Sequence, residues 1–342
     1  MTERFKYLDI ATGIMIIWVL LYHALYPMLE LNILSKIPFL YFFVPWFFYK
    51  SGYMFNVNTN KELFRKDFRK LLLPFAFWSI VGYVIYVVMC MDIHNLTFRS
   101  ILYVPIRSLF LTCSIPLNSA LWFLPILFLV RTIANALLKI FHPITMLIVA
   151  LLVIILCDLL SFRLMPIWIS GTTWGLFFFI AAYLLRNYET NKWVLFFCSI
   201  IFIISLFTEI PSVYSAKEQS FLSKILWYPC CLCGCITFNN LCRLLVLVLE
   251  KFYGIVKLNS QNYCPIISYI GKNSMSFYLP HYIIFKLGFH LIYVAIPCYY
   301  SNIVGFGIIV FLYIAVLFPI SELRKKIGYL GVKSSPKVKD LK

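Results

Sequence analysis

Residues 8–29 read Leu8-Asp9-Ile10-Ala11-Thr12-Gly13-Ile14-Met15-Ile16-Ile17-Trp18-Val19-Leu20-Leu21-Tyr22-His23-Ala24-Leu25-Tyr26-Pro27-Met28-Leu29. A helix needs about 20 mostly apolar residues to cross a bilayer. This run supplies them, with Asp9 near one end and His23 toward the other. Runs of the same kind recur along the chain. Of its 342 residues, 62% are hydrophobic and 13% charged, whereas soluble domains average about 45–50% apolar and about 25% charged. Too little polar surface exists to coat a water-soluble globule, which excludes a cytosolic enzyme, a secreted domain and a disordered chain.

Ten apolar runs are long enough to read as spans: 8–29, 37–57, 70–91, 119–138, 144–161, 166–185, 192–209, 221–249, 266–292 and 299–320. The expectation is an all-α, polytopic integral membrane protein with about ten transmembrane helices. The eighth run is long for one span, so it is either tilted or broken near Gly234. The stretch from Phe98 to Thr112 reads as a short interfacial helix. The formal net charge is +17, and most of the 30 Lys and Arg fall on the side that holds both termini. The other side holds Lys36, Arg99, Arg107, Arg163, Lys217 and Lys224. Lys and Arg accumulate in cytoplasmic loops, so both termini are expected in the cytoplasm, and the basicity calls for no nucleic acid. Residues 1–330 read as one membrane-embedded domain and 331–342 as a basic cytoplasmic tail.

Ionisable side chains within spans are costly and mark function by default. His23, Lys50, Arg131, Asp158, Glu209, His281 and Lys286 are of this kind. At 100° per residue, Asp9, Thr12, Gly13, Ile16 and His23 share one helical stripe. Either the stripe lines a polar cavity with His23 as a general base, or His23 is hydrogen-bonded to a neighbouring helix without chemistry. In Gly271-Lys272-Asn273-Ser274-Met275-Ser276-Phe277-Tyr278-Leu279-Pro280-His281, Ser274 and His281 share a face with Tyr278 beside them. Asn273 or Ser274 also suits a helix cap. Arg131 and Asp158, in consecutive spans, read equally as a simple ion pair.

The segment Phe64-Arg65-Lys66-Asp67-Phe68-Arg69-Lys70-Leu71-Leu72-Leu73-Pro74 leads into the third span. It is either a plain positive-inside anchor or an anion site, in which Arg65 and Arg69, four apart, grip a phosphate. Cys230, Cys231, Cys233, Cys235 and Cys242 lie in an apolar run without a second pair at metal-ligand spacing. They read as small apolar helix residues, and no metal is expected.

Five of these segments, in order, resemble the acyltransferase 3 family of membrane O-acyltransferases, in particular its fucose 4-O-acetylase-like branch. They are Leu8-Asp9-Ile10-Ala11-Thr12-Gly13-Ile14 with Tyr22-His23; Phe47-Phe48-Tyr49-Lys50-Ser51-Gly52-Tyr53; Arg65 to Pro74; Ala120-Leu121-Trp122-Phe123-Leu124; and Gly271 to His281. One position departs from the family pattern. Thr12, eleven before His23, stands where the family usually has Arg or Lys. Lys50, or Arg4 and Lys6, are the candidate replacements for that cation; otherwise the activity is reduced or altered.

The resemblance implies transfer of an acetyl or similar group from cytosolic acyl-coenzyme A to a sugar hydroxyl of a cell-surface polysaccharide, O-antigen, exopolysaccharide or lipid-linked precursor. No permanently bound cofactor is implied; acetyl-coenzyme A is the acyl donor. His23 would be the general base, with Asp9, Ser274, Tyr278 and His281 in the catalytic set. Arg65, Arg69, Lys70 and Lys50 would hold the coenzyme. The implied partners are acyl-coenzyme A, the glycan acceptor and membrane lipid, and the implied location is the inner or plasma membrane. A flippase or transporter of lipid-linked glycans accounts for the spans and intramembrane charges without acyl transfer.

Overall fold

The computed structural model describes residues 6–25, 42–90, 97, 99–115, 118–159, 166–208, 221–255 and 264–287, with 315, 316, 318, 319 and 322. No strand occurs among them. The helices are α1 (Lys6–Leu25), α2 (Phe43–Tyr53), α3 (Asn60–Asp67), α4 (Leu73–Cys90), α5 (Val104–Thr112), α6 (Phe123–Leu137), α7 (Pro143–Leu159), α8 (Ile167–Leu185), α9 (Lys192–Leu206), α10 (Phe221–Ile255), α11 (Pro265–Lys272) and α12 (Ser274–Tyr278). A wider π turn, Phe68–Leu72, joins α3 to α4 without a break, and Leu73 N–H donates to the Phe68 carbonyl. A second π turn, Arg99–Tyr103, leads into α5, and a 3₁₀ turn, Ser119–Trp122, leads into α6.

The chain forms two compact units. The first takes the described residues of Met1–Val19, Leu29–Asn60 and Leu129–Lys272. At its centre α8 is buried on most sides, from Gly171 through Ala182. Helix α2 packs on α8, α7 covers α8, and α10 packs on α9 and α2. Side chains without bulk permit the closest crossings. At Gly52 a Cβ would strike the Phe179 carbonyl, and at Gly271 it would strike the Asp9 carbonyl. Small residues let apolar helices approach backbone to backbone, where dispersion contacts are densest. Around the α2–α8 crossing, Phe48 meets Trp174 edge-on at 5.1 Å, and Trp227 packs on both Trp174 and Phe178.

The second unit takes the described residues of Leu20–Met28, Lys61–Phe128 and Asn273–Lys342. Its ties are polar as well as apolar. Tyr83 donates to the Ile101 carbonyl, Asn118 Nδ2 donates to the Trp78 carbonyl at 3.3 Å, and Tyr278 donates to the Ala120 carbonyl.

Five helices among the described residues are long and apolar enough to cross a membrane: Lys6–His23, Asn60–Val88, Ser119–Leu137, Ile167–Leu185 and Ile225–Phe252. Ile101–Thr112, Pro143–Cys157 and Lys192–Leu206 are apolar but shorter. Rows of exposed apolar side chains at helical spacing, such as Phe77, Ile80, Val84 and Val88 on α4 and Ile148, Leu152 and Leu156 on α7, suit contact with lipid. The eighth run is unbroken at Gly234: α10 is one helix of 35 residues with Pro229 inside it. The ninth run is not one helix. It turns at Asn273, where φ is −110° and ψ 24°, and again at 279–280 before a helical run over 281–287. Pro280 has no N–H to give the ladder, which accounts for the second interruption. The second run appears as the eleven residues of α2. The earlier part of that run, most of the tenth run, Glu209 and the basic tail lie outside the described residues, as does the side chain of Asp158.

Candidate active site

Helix α1 carries His23 near its end, within the second unit. The turn made by Pro280 brings His281 beside it. The two imidazole centroids lie 5.2 Å apart, and Tyr282 meets His23 edge-on at 5.2 Å. Tyr278, one turn before His281, has its ring 5.3 Å from the His281 ring. Two histidines from opposite ends of the sequence are therefore neighbours, together with Tyr278.

His281 is fully buried. Its Nδ1 is bonded to the Tyr278 carbonyl oxygen. A carbonyl can only accept, so Nδ1 carries the proton and neutral His281 presents a lone pair at Nε2. That Nε2 has no hydrogen-bond partner among the described residues. Tyr278 spends its hydroxyl hydrogen on the Ala120 carbonyl. Ser274 opens α12, half-buried, and forms no hydrogen bond with either imidazole among the described residues; Asn273 before it caps no N–H of that helix. Lys286 lies 5.6 Å from the Tyr282 ring centroid.

The basic segment also belongs to the second unit. Arg65, Lys66, Arg69 and Lys70 are exposed, while Leu63 and Asp67 turn inward. Phe64 and Phe68 stack at 6.0 Å on the outer side. Arg65 sits before the π turn and Arg69 within it. An exposed cationic cluster at the head of an apolar helix can bind an anion such as a phosphate.

Asp9 and Lys50 belong to the first unit. Asp9 is half-buried, and its backbone carbonyl abuts Gly271. Lys50 Nζ donates to Thr12 Oγ1 at 2.6 Å and lies 5.8 Å from the Trp46 ring centroid. Thr12 in turn donates to the Leu8 carbonyl. A cation thus reaches the very position where the sequence has a neutral hydroxyl. One residue along, Ser51 Oγ accepts from Arg131 Nη1 at 2.8 Å, and the guanidinium covers the Phe55 ring at 5.3 Å.

Sequence reasoning missed a second polar centre in the first unit. Glu189, in the α8–α9 turn, is fully buried. It pairs with Arg243 of α10 and accepts from Asn239 Nδ2 at 2.7 Å and Tyr49 Oη at 3.2 Å. Arg243 also donates to Tyr7 at 2.7 Å, Tyr53 at 3.0 Å and Asn240 Oδ1 at 3.0 Å. Trp46 Nε1 donates to Asn239 Oδ1 at 2.8 Å. A Glu between Arg186 and Lys192 reads as a solvated loop residue; Asn239 and Asn240, polar within an apolar run, were the available signal. Of the clustered cysteines, Cys231, Cys233, Cys235 and Cys242 are buried and free.

A chain whose described residues form helices and no strand, several helices being of membrane length and two imidazoles packed together, has the outline of a multi-pass membrane enzyme. Residues 5–322 match the acyltransferase domain of the acyltransferase 3 family, and the chain belongs to that family. It is therefore a membrane acyltransferase. No curated protein and no solved structure matches it.

Proposed function

We propose that the protein is an O-acetyltransferase of the cell membrane, with both termini cytoplasmic. In this reading it moves an acetyl or similar group from acyl-coenzyme A to a sugar hydroxyl of a surface polysaccharide or its lipid-linked precursor. The observation that carries the reading is the pairing of His23 with His281 at 5.2 Å. A sugar hydroxyl is a weak nucleophile near neutral pH, so a base must take its proton as the oxygen attacks the thioester carbonyl. His23 takes that proton. The C–O bond forms, the C–S bond breaks, and the leaving thiolate recovers the proton from His23.

The oxyanion formed on the way needs donors. Because the Tyr278 hydroxyl hydrogen is already spent on Ala120, the role passes to Ser274 or to a cation. Arg65, Arg69 and Lys70 hold the phosphates of the coenzyme. Lys50 at Thr12 supplies the positive charge that the family pattern has on α1, and Asp9 helps to position it.

The test is mass spectrometry of surface polysaccharide from a deletion strain and from strains restored with His23→Ala. The expected result is exported glycan without acyl groups in both. Full acylation with His23→Ala would remove the base, and loss of the glycan itself from the surface would favour a flippase. Arg65→Ala with Arg69→Ala is expected to raise the KM for acetyl-coenzyme A; an unchanged KM would dismiss the anion site.

A further inference from the structure

The polar groups of the second unit differ in what they can offer a reacting molecule. Ser79 Oγ, Asn118 Oδ1 and His281 Nε2 lack hydrogen-bond partners among the described residues, but they are buried and present no surface to touch. Lys286 is the opposite case. Its side chain is exposed, and it makes no hydrogen bond or ion pair with any described residue; its contact is with the Tyr282 ring, 5.6 Å from Nζ to the centroid. It stands in an apolar run, Ile283-Ile284-Phe285-Lys286-Leu287. A cation in such a run is costly and calls for a role.

The fold sets this cation beside the histidine pair. Tyr282 and Lys286 are four apart on the helical run over 281–287, so they share a face. On that face Tyr282 meets His23 edge-on at 5.2 Å. Lys286 and His23 thus touch the same ring, and the ammonium is near enough for its charge to act on the imidazole. Both residues belong to the second unit. The neighbouring donors are engaged elsewhere. The Tyr278 hydroxyl is given to the Ala120 carbonyl, His281 Nδ1 to the Tyr278 carbonyl, and Lys50 to Thr12.

We infer that Lys286 is the oxyanion donor of the acyl transfer. The inference rests on the reading of His23 as base. When the attacking hydroxyl gives its proton to His23, its oxygen bonds to the thioester carbon and the carbonyl electron pair moves onto the carbonyl oxygen. That oxygen lies two bonds from the atom His23 has just deprotonated, so its donor must stand beside His23. The Lys286 ammonium, on a flexible four-carbon stem, swings from the Tyr282 face to donate an N–H to it. The electron pair then returns to carbon, the C–S bond breaks, and the thiolate takes the proton from His23. Lys286 gives up no proton in the cycle. It meets a charge that exists only between the two ends of the reaction, so it acts on rate and not on binding.

The experiment uses membranes of a deletion strain, which supply the natural acceptor, with the full chain restored at matched level and radiolabelled acetyl-coenzyme A as donor. Lys286→Met is expected to lower the maximal rate of label transfer about 100-fold, with the KM for acetyl-coenzyme A unchanged. Lys286→Arg, which keeps the charge, should stay within about tenfold of wild type. A maximal rate in Lys286→Met equal to wild type would overturn the role, as would Lys286→Arg performing no better than Lys286→Met. A KM that rises in step with the loss of rate would also overturn it, and would place Lys286 on the coenzyme phosphates. If wild type transfers no label, the acyl-transfer reading falls and this one with it; transfer by wild type and Lys286→Met alike overturns the Lys286 role alone. Should Lys286→Met fail to accumulate, Lys286→Gln decides, with an expected loss of rate of at least about tenfold.

Discussion

Two buried polar groupings, one in each unit, are arranged on opposite principles. Around Glu189 and Arg243 the carboxylate oxygens, the guanidinium, three tyrosine hydroxyls, two amides and an indole N–H are matched to one another. Around His281 the donor ends are satisfied and the acceptor ends are not. A closed network has nothing left to offer a ligand and serves to fix α1, α2 and α10 against the α8–α9 turn. An unfinished one leaves buried acceptors without hydrogen bonds, at a cost in stability. Burial alone does not separate the two kinds of polar centre; the bookkeeping of donors and acceptors does.

The largest test of this contrast is Glu189→Ala. Removing one partner of a buried pair leaves the other charged and alone, at a cost of about 3–5 kcal/mol. Thermal unfolding in detergent should show that loss, and replacing both Glu189 and Arg243 by apolar residues should recover much of it. A small loss in the single variant would mean that the network is not closed. Next in size is Lys50→Met. Thr12 keeps its bond to the Leu8 carbonyl, so stability should change by only about 1 kcal/mol while acyl transfer falls at least tenfold. Adding Thr12→Lys to that variant should restore transfer, since the cation returns to the same place from the other helix. Transfer that survives Lys50→Met would make the Lys50–Thr12 bond structural, like the Glu189 network. The smallest effect is the most telling. Ser79→Ala removes a buried hydroxyl without a partner, so it should leave stability unchanged or raise it by about 1 kcal/mol. A clear loss of stability would show that the Ser79 hydroxyl is bonded in the folded chain.

Much of the fold was legible because a membrane helix needs only a local property, a long apolar run. The runs at 8–29, 70–91, 119–138, 166–185 and 221–249 correspond to helices of spanning length. What local reading could not see was interruption from outside. Asn273 and Pro280 break the ninth run, yet Pro229 leaves α10 intact, and the sequence around each proline does not say which it will do. In the site, His23 and His281 stood out because each is an imidazole in apolar surroundings, though their adjacency is tertiary. Lys50 was one of the candidate replacements for the cation missing at Thr12, and the two are now seen to bond. Asn118 gave no signal at all. An Asn two residues after Pro116 is an ordinary turn residue, and only the Trp78 carbonyl reveals which end of its amide is occupied.

The π turn at Phe68–Leu72 has a consequence for how this chain tolerates change in length. Its i→i+5 bond, Leu73 to Phe68, holds one residue more than an α-helix would at that point. Deleting any one residue of the turn would let the ladder close as ordinary α-helix. The helix would shorten by about 1.5 Å and α3 would swing by about 100° around the axis of α4. Arg65 would be carried to a different side, and the buried Leu63 and Asp67 would be turned outward. The segment is thus permissive to substitution of its exposed residues but rigid to a change of a single residue in count. An insertion of this kind fixes the direction in which the basic cluster points as firmly as any side-chain contact.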